Sequence, residues 1–176
     1  MTLDLTTRCT AQSTIATPLG PMLLARTASG LCGAWFEAQK HHPGLLSAPQ
    51  QPDDPLLARA AAQLAAYFAG RHDGRFDLPL DLQGTPFQRS VWQALLDIAA
   101  GTTRSYGEVA RSVAAPAAVR AVGAAVGRNP VSVIVPCHRV VGSGGALTGY
   151  AGGLPRKQAL LALEARLAAR SLQQAA

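Results

Sequence analysis

The chain of 176 residues is poor in cysteine, in aromatic residues and, over its second half, in acidic residues. Cys9, Cys32 and Cys137 are an odd number at irregular spacing, which argues against a disulfide scaffold and for a reduced compartment. No C-x-x-C pair is present, and the spacing of Cys9, Cys32 and the histidines does not resemble a metal site, so no metal is expected. Aromatic residues make up 5% of the chain, so its core must close on small and branched aliphatic side chains. No uninterrupted apolar run reaches membrane-spanning length, the alanine-rich stretch being broken by Pro116 and Arg120. The first residues, M-T-L-D-L-T-T-R-C, lack the apolar centre of a secretory signal. A soluble cytoplasmic protein with no membrane partner is the expectation.

The scarcity of acid is uneven. Residues 1–84 carry six Lys and Arg against seven Asp and Glu, whereas residues 85–176 carry ten against three, so the net charge of +6 resides entirely in the second half. A basic half suits a polyanion such as DNA, although a solvated arginine surface has the same composition. The asymmetry suggests two domains, 1–84 and 85–176.

In the first half, T-P-L-G-P at 17–21 and A-S-G at 28–30 are turn signals, and Met22–Arg26 and Leu31–Phe36 have strand character, so residues 12–36 read as a small antiparallel meander. Residues 40–55 read as an irregular loop. Asp53 or Asp54 then caps a helix whose first residue is Pro55 and whose apolar residues Leu56, Leu57, Ala60, Leu64, Tyr67 and Phe68 recur at helical spacing, with Gly70 at its end. Phe76, Leu78, Leu80 and Leu82 alternate with polar residues and Pro79, which predicts an extended edge segment. The fold class is therefore an α/β N-terminal domain, a small antiparallel sheet plus a helix.

The second half is mainly helical. Thr85 to Gln88 and Ser105 to Glu108 are both capping boxes. The first opens a helix ending near Gly101. The second opens a short helix through Val113, and Pro116 opens another running to about Gly127. Two short helices joined by a tight turn on a basic chain predict a winged helix-turn-helix-like domain. Ala117, Ala118, Ala121, Gly123, Ala124 and Ala125 make the second helix slim, suited either to close helix packing or to a narrow minor groove, with Arg120 projecting from it. A final helix begins at Pro155, and Glu164 falls on or beside its apolar stripe, to be satisfied by His138 or by Arg156 or Lys157.

The stretch with most chemical content is N-P-V-S-V-I-V-P-C-H-R-V-V, residues 129–141. Its β-branched run, Val131 to Val135, predicts a strand buried on both faces and stopped by Pro136, with the Cys137 thiol at its tip. A free thiol is only a few per cent ionised at neutral pH, so His138 and Arg139 are the local candidates for lowering its pKa. A lone Cys-His pair is more often core than catalytic. Here proline before, arginine after and Asn-Pro upstream shift that balance.

Together P-C-H-R-V, S-Y-G-E, N-P-V and the G-Y segment resemble the O6-alkylguanine-DNA alkyltransferases, also called methylated-DNA–protein-cysteine methyltransferases, over roughly residues 85–166. The resemblance implies direct-reversal DNA repair. The alkyl group on O6 of guanine is transferred to Cys137 after the nucleotide is flipped out, once per molecule and with no cofactor; O4 of thymine is left open. It also implies that His138 activates the thiol through a water and that Glu164 orients His138. Tyr106 contacts DNA and helps protonate the guanine, and Asn129 holds the active-site turn. Arg120 fills the vacated stack beside Ala121, Gly123 and Arg128 on the DNA face, and Tyr150, Ala151, Val140 and Ser132 line the base pocket. The partner is double-stranded DNA, entered from the minor groove by a monomer. Ala151 and Ser132 stand where some relatives carry a hydroxyl residue and a proline. Some relatives hold a structural zinc in the first half, for which this chain has too few matching ligands. Two other classes compete: a Cys-His-Glu hydrolase, which needs an oxyanion site not evident here, and a helix-turn-helix binder without chemistry, which gives P-C-H-R no task.

Overall fold

The computed structural model describes residues 5–174. After a single helical turn, α1 (Leu5–Arg8), three strands form an antiparallel meander: β1 (Ala11–Ile15), β2 (Met22–Arg26) and β3 (Leu31–Phe36). β1 pairs β2 with Ile15 opposite Met22, and β2 pairs β3 with Met22 opposite Phe36, with a register shift at Ala25/Arg26. The β1–β2 turn is held by the Thr17 hydroxyl, which accepts from Leu19 N and donates to Gly20 O. Helix α2 (Pro55–Phe68) is capped by Asp54, whose carboxylate accepts from Leu56 N and Leu57 N, and it buries Leu57, Ala60, Leu64 and Tyr67.

The alternating segment from Phe76 to Leu82 is extended but is not a full strand. It touches the sheet at one parallel bridge, Leu31 to Leu80, with Leu31 N donating to Pro79 O and Asp81 N to Leu31 O. Gly30 permits this approach, since a Cβ there would meet Pro79 O at 2.6 Å.

Both capping boxes form. Thr85 opens α3 (Pro86–Leu96), which ends at Asp97 rather than near Gly101; Ser105 opens α4 (Tyr106–Ser112). Helix α5 (Val119–Gly127) starts three residues later than Pro116 suggested, because Ala114 adopts a positive φ of 55° and Ala115 N reaches back to Ala110 O, so the chain must turn before it can restart a helix. α4 and α5 form the helix-turn-helix-like pair. Trp92 of α3 packs as core, and its indole N–H donates to Ala125 O at 2.8 Å, which pins α3 against α5. Helix α6 (Leu154–Gln174) closes the fold.

Val131 to Val135 is buried throughout, as its composition requires, but it is not a strand. It is a tight turn touching β3 by one bridge, Ala34 to Val131, with Val133 at φ 72°. A β-branched residue rarely adopts that conformation, and the surrounding hydrogen bonds must impose it. The composition that predicts a strand here serves a packed turn equally well, because both bury every side chain. One apolar cluster runs from β2 and β3 through α2, α3 and α5 to this turn and Leu160 of α6, so both halves share a core.

Candidate functional site

Cys137, His138 and Arg139 form a single 3-10 turn following Pro136, and all three are buried. Immediately after it, β5 (Val140–Val141) pairs in parallel with β4 (Arg104–Ser105), so Arg104 lies opposite Val140 and Ser105 opposite Val141. Because Ser105 is also the cap of α4, this two-residue ladder ties the start of α4 to the cysteine turn and sets Tyr106 beside it.

Asn129 organises the turn. Its side-chain oxygen accepts from Val131 N at 3.0 Å, and its amide nitrogen donates to Val135 O at 2.8 Å and approaches Cys137 Sγ at 3.0 Å. A donor aimed at sulfur favours the thiolate. Burial nevertheless dominates and pushes the Cys137 thiol up to about 11, against the lowering effects of the Asn129 hydrogen bond and the Lys157 charge. Arg139, expected to act on the thiol, instead faces the carboxylate behind it.

That carboxylate is Glu164 of α6, fully buried and held on three sides. His138 Nε2 lies 2.9 Å from Oε1, Arg139 donates from Nε and Nη2 at 2.8 to 3.2 Å, and the Tyr67 hydroxyl donates at 2.7 Å. Gly101 N donates to Oε2 at 3.2 Å. Burial alone would raise the Glu164 pKa, but the His138 and Arg139 hydrogen bonds and charges outweigh it and hold the group ionised. With Glu164 charged, His138 Nε2 must carry the hydrogen that it donates, leaving Nδ1 as the unprotonated nitrogen. Nδ1 is buried and takes no hydrogen bond from the protein. Burial also lowers the His138 pKa, so the imidazole is neutral. Of the two partner sets considered for Glu164, the structure brings His138 and leaves Arg156 and Lys157 elsewhere: Arg156 donates to Leu19 O and Gly152 O and stacks on Phe36.

Lys157 was not foreseen as part of the site. Its ammonium is buried and donates to Val140 O, Thr148 O and Gly149 O, joining the cysteine turn to the glycine-rich loop. The Tyr106 hydroxyl converges on the same two loop carbonyls, at 3.2 and 3.4 Å, and burial raises its pKa. A sequence signal existed: Lys157, Leu160 and Glu164 share one helical face at spacings of three and four, so a lysine stood on the buried stripe. Arg139 stood in P-C-H-R and Tyr67 on an apolar stripe, but nothing in either pattern pointed to Glu164 as the partner.

Next to this site lies a cleft of about 410 Å³, lined by Tyr106, Gly123, Ala124, Gly127, Arg128, Gly149, Tyr150 and Ala151, together with Lys40 and His41 from the first half. Cys137 is 3% exposed and is not among the residues that line it. Burial raises the pKa of both Tyr106 and Tyr150, the aromatic residues on the cleft wall, and negative charge on Cys137 raises them further. Val140 and Ser132 are buried and off the cleft surface; the Ser132 hydroxyl donates to Gln39 Oε1 at 3.1 Å. Arg120 and Ala121 are exposed on α5, outside the cleft. Cys9 and Cys32 meet at 3.5 Å between sulfurs, a pairing their spacing gave no hint of. Among the described residues, no group of three or more His, Cys, Asp or Glu side chains is arranged to hold a metal, and no helix is long and apolar enough to cross a membrane.

A buried cysteine backed by an imidazole and a carboxylate, beside a slim helix pair in a basic half-chain, defines a DNA-binding protein with thiol chemistry. Comparison with known proteins narrows that class. Residues 11–82 match the profile of the 6-O-methylguanine DNA methyltransferase ribonuclease-like domain, and residues 86–166 match that of the 6-O-methylguanine DNA methyltransferase DNA-binding domain. The methylated-DNA–protein-cysteine methyltransferase of Mycobacterium tuberculosis is 51% identical over 151 residues, covering 86% of this chain and 90% of that protein. The protein of that name from Methanosarcina barkeri is 48% identical over 150 residues, covering 85% and 94%. The crystal structure of Mycobacterium tuberculosis O6-methylguanine methyltransferase superposes with a TM-score of 0.81 at 49% identity, over 89% of this chain and 93% of that one. The structure of the Mycobacterium tuberculosis protein in complex with DNA gives 0.80 at 48%, over 89% and 94%. The chain belongs to the 6-O-methylguanine DNA methyltransferase family.

Proposed function

We propose that the protein repairs alkylated DNA by direct reversal, moving the alkyl group from O6 of guanine to Cys137. The observation that carries this is two buried pairs on one turn, Cys137 with Asn129 and His138 with Glu164, set beside the helix pair α4–α5. The thiol must lose its proton in the complex, since burial holds it protonated in the free protein at neutral pH. His138 Nδ1 takes that proton through a water, and Glu164 stabilises the imidazolium. Sulfur then attacks the alkyl carbon as the bond to O6 breaks, and Tyr106 assists protonation of the departing guanine. The resulting thioether has no route back to thiol, so each molecule reacts once, without a cofactor.

The exposed small residues of α5 support entry from the minor groove by a monomer, with Arg120 occupying the stack vacated by the extruded base. Arg128, Ala121 and Gly123 flank it. Because Cys137 is 3% exposed, the base reaches sulfur only if the loop carrying Thr148 to Ala151 shifts, releasing the Tyr106 hydroxyl from its carbonyl acceptors. Tyr150 and Ala151 then form the pocket wall, with Val140 and Ser132 behind them. The profile matches, ending at 82 and resuming at 86, support a domain division near residue 84.

Incubation with duplex oligonucleotide containing O6-methylguanine, followed by intact-mass measurement, tests the assignment. The expected result is a gain of one methylene on the peptide containing Cys137, saturating at one equivalent. Transfer that persists in Cys137→Ala, or turnover beyond one equivalent, overturns it.

A further inference from the structure

The cleft beside Cys137 has a wall that the helix-turn-helix pair does not supply. Lys40 and His41, from the loop after β3, face Arg128 at the end of α5 across it. That loop is fastened on two sides. Lys40 N–H donates to Ala151 O at 2.9 Å, joining it to the Tyr150 loop. The adjacent Gln39 is buried, and its side-chain oxygen accepts from Phe36 N at 2.8 Å and from the Ser132 hydroxyl at 3.1 Å. Ala38 and His41 both adopt positive φ, 59° and 62°, a conformation non-glycine residues rarely take. The turn is thus held in one shape by its contacts, with Lys40 and His41 presented to the cleft.

The charge there is of one sign. No aspartate or glutamate lines the cleft, and three basic side chains do. Their proximity is visible in His41, whose pKa falls through burial and then through the charges of Arg128 and Lys40. Like charges gathered without a counterion are unfavourable until an anion arrives. An extruded nucleotide brings such an anion, because its sugar remains joined to the backbone and its phosphates swing with it.

We propose that Lys40, His41 and Arg128 form a cationic rim that binds the phosphodiester backbone at the extruded nucleotide, so that the first half of the chain takes part in DNA recognition. Lys40 and Arg128 supply charge, and His41 donates a hydrogen bond. This rests on the alkyl-transfer reading above, and its test separates the two.

The test measures affinity for duplex containing O6-methylguanine over a range of salt, and reaction with free O6-benzylguanine, which has no phosphate. Lys40→Gln is expected to weaken duplex binding and make the log–log salt dependence shallower by about 0.9, the value for one lost phosphate contact. Lys40→Gln with Arg128→Gln should lose about twice that. His41→Asn, which keeps a residue tolerant of positive φ, should weaken binding with little change in slope. Reaction with the free base, which has no phosphate to lose, should fall less than reaction with duplex in all three. Arg71→Gln, which removes an exposed charge elsewhere in the first half, should change neither measurement. An unchanged slope in Lys40→Gln, an equal change in Arg71→Gln, or a free-base reaction slowed as much as the duplex reaction overturns the rim. A wild type that binds duplex with the expected salt behaviour but transfers no alkyl group overturns the alkyl-transfer reading and leaves the rim standing.

Discussion

The β1–β3 meander and the turn at residues 129–141 both contribute to the shared core, yet they are held in opposite ways. In the meander, backbone groups pair strand to strand, and Met22, Leu24, Ala34 and Phe36 fill the space beneath. Each contact is one of many of the same kind. In the turn the backbone follows no repeat, Val133 sits at a positive φ, and single side chains close the structure: Asn129 on Val131, Val135 and Cys137, Lys157 on Val140, and Glu164 on His138 and Arg139. The meander is a support whose parts substitute for one another. The turn trades that redundancy for a thiol, an imidazole and a carboxylate in fixed positions, a requirement of nucleophilic chemistry.

The widest difference should appear on removing carboxylates. Glu164→Ala leaves Arg139 and His138 buried without their anion, and breaking a buried pair in this way costs about 3–5 kcal/mol. Asp54→Ala, in the first half, removes a helix cap and a partly exposed pair with Arg26, worth about 1–2 kcal/mol. Urea denaturation of both variants measures the difference. Equal losses would mean that the two regions are held by the same kind of force. Leu64→Ala tests the supporting side: a cavity in the shared core should cost about 2–5 kcal/mol, while transfer by the molecules that remain folded stays near the wild-type rate. A loss of transfer per folded molecule as steep as in Glu164→Ala would erase the distinction between support and site.

Acid should act on the turn before it acts on the meander. The His138 pKa is depressed in the folded protein by burial, so folding excludes a proton that the unfolded chain binds below about 6.5. The stability contributed by neutral His138 is therefore present above that pH and falls as pH drops below it, at up to about 1.4 kcal/mol per pH unit. Glu164, also depressed, stays ionised in both states until pH falls below about 4.3, so it leaves the window between 6.5 and 5 to the two histidines with lowered pKa, buried His138 and exposed His41. Denaturation of wild type and His138→Gln across that window should show a steeper pH slope in the first than in the second, where His41 alone of the pair remains. Parallel curves would remove His138 as the acid-sensitive group.

The two regions also differed in how far their sequences could be read. Strands β2 and β3 and both capping boxes were legible to the residue, because alternation, turn residues and S/T-x-x-E/Q spacing are local causes with local effects. The turn was legible as chemistry but not as shape. P-C-H-R and N-P-V marked Cys137, His138 and Asn129, while the hydrogen bonds that bend Val131 to Val135 out of a strand come from a side chain acting across six positions. Tyr67 reaches Glu164 across 97 residues and Lys40 reaches Ala151 across more than a hundred, and no window of sequence contains such contacts. Glu164 and Lys157 lay between these extremes: a charge on an apolar stripe announces a buried partner without naming it.

The smallest expected effect draws the sharpest line between the two regions. Thr85 and Ser105 are matched caps, each accepting from the backbone N–H three residues on and each answered by the side chain at that position. Replacing either with alanine should cost about 1 kcal/mol, since the lost hydrogen bond is the same. Their surroundings differ. Thr85 opens α3, which packs against α5 through Trp92 and touches no part of the cleft. Ser105 lies in the two-residue ladder with Val141 and immediately precedes Tyr106, whose hydroxyl rests on Thr148 and Gly149. Fraying of α4 at Ser105 therefore displaces Tyr106, a side chain that joins the helix pair to the loop at Thr148 and Gly149. Thr85→Ala and Ser105→Ala should denature at nearly the same urea concentration, while only Ser105→Ala slows transfer from duplex DNA. If both variants keep the wild-type rate, the ladder between β4 and β5 supports the fold without positioning Tyr106.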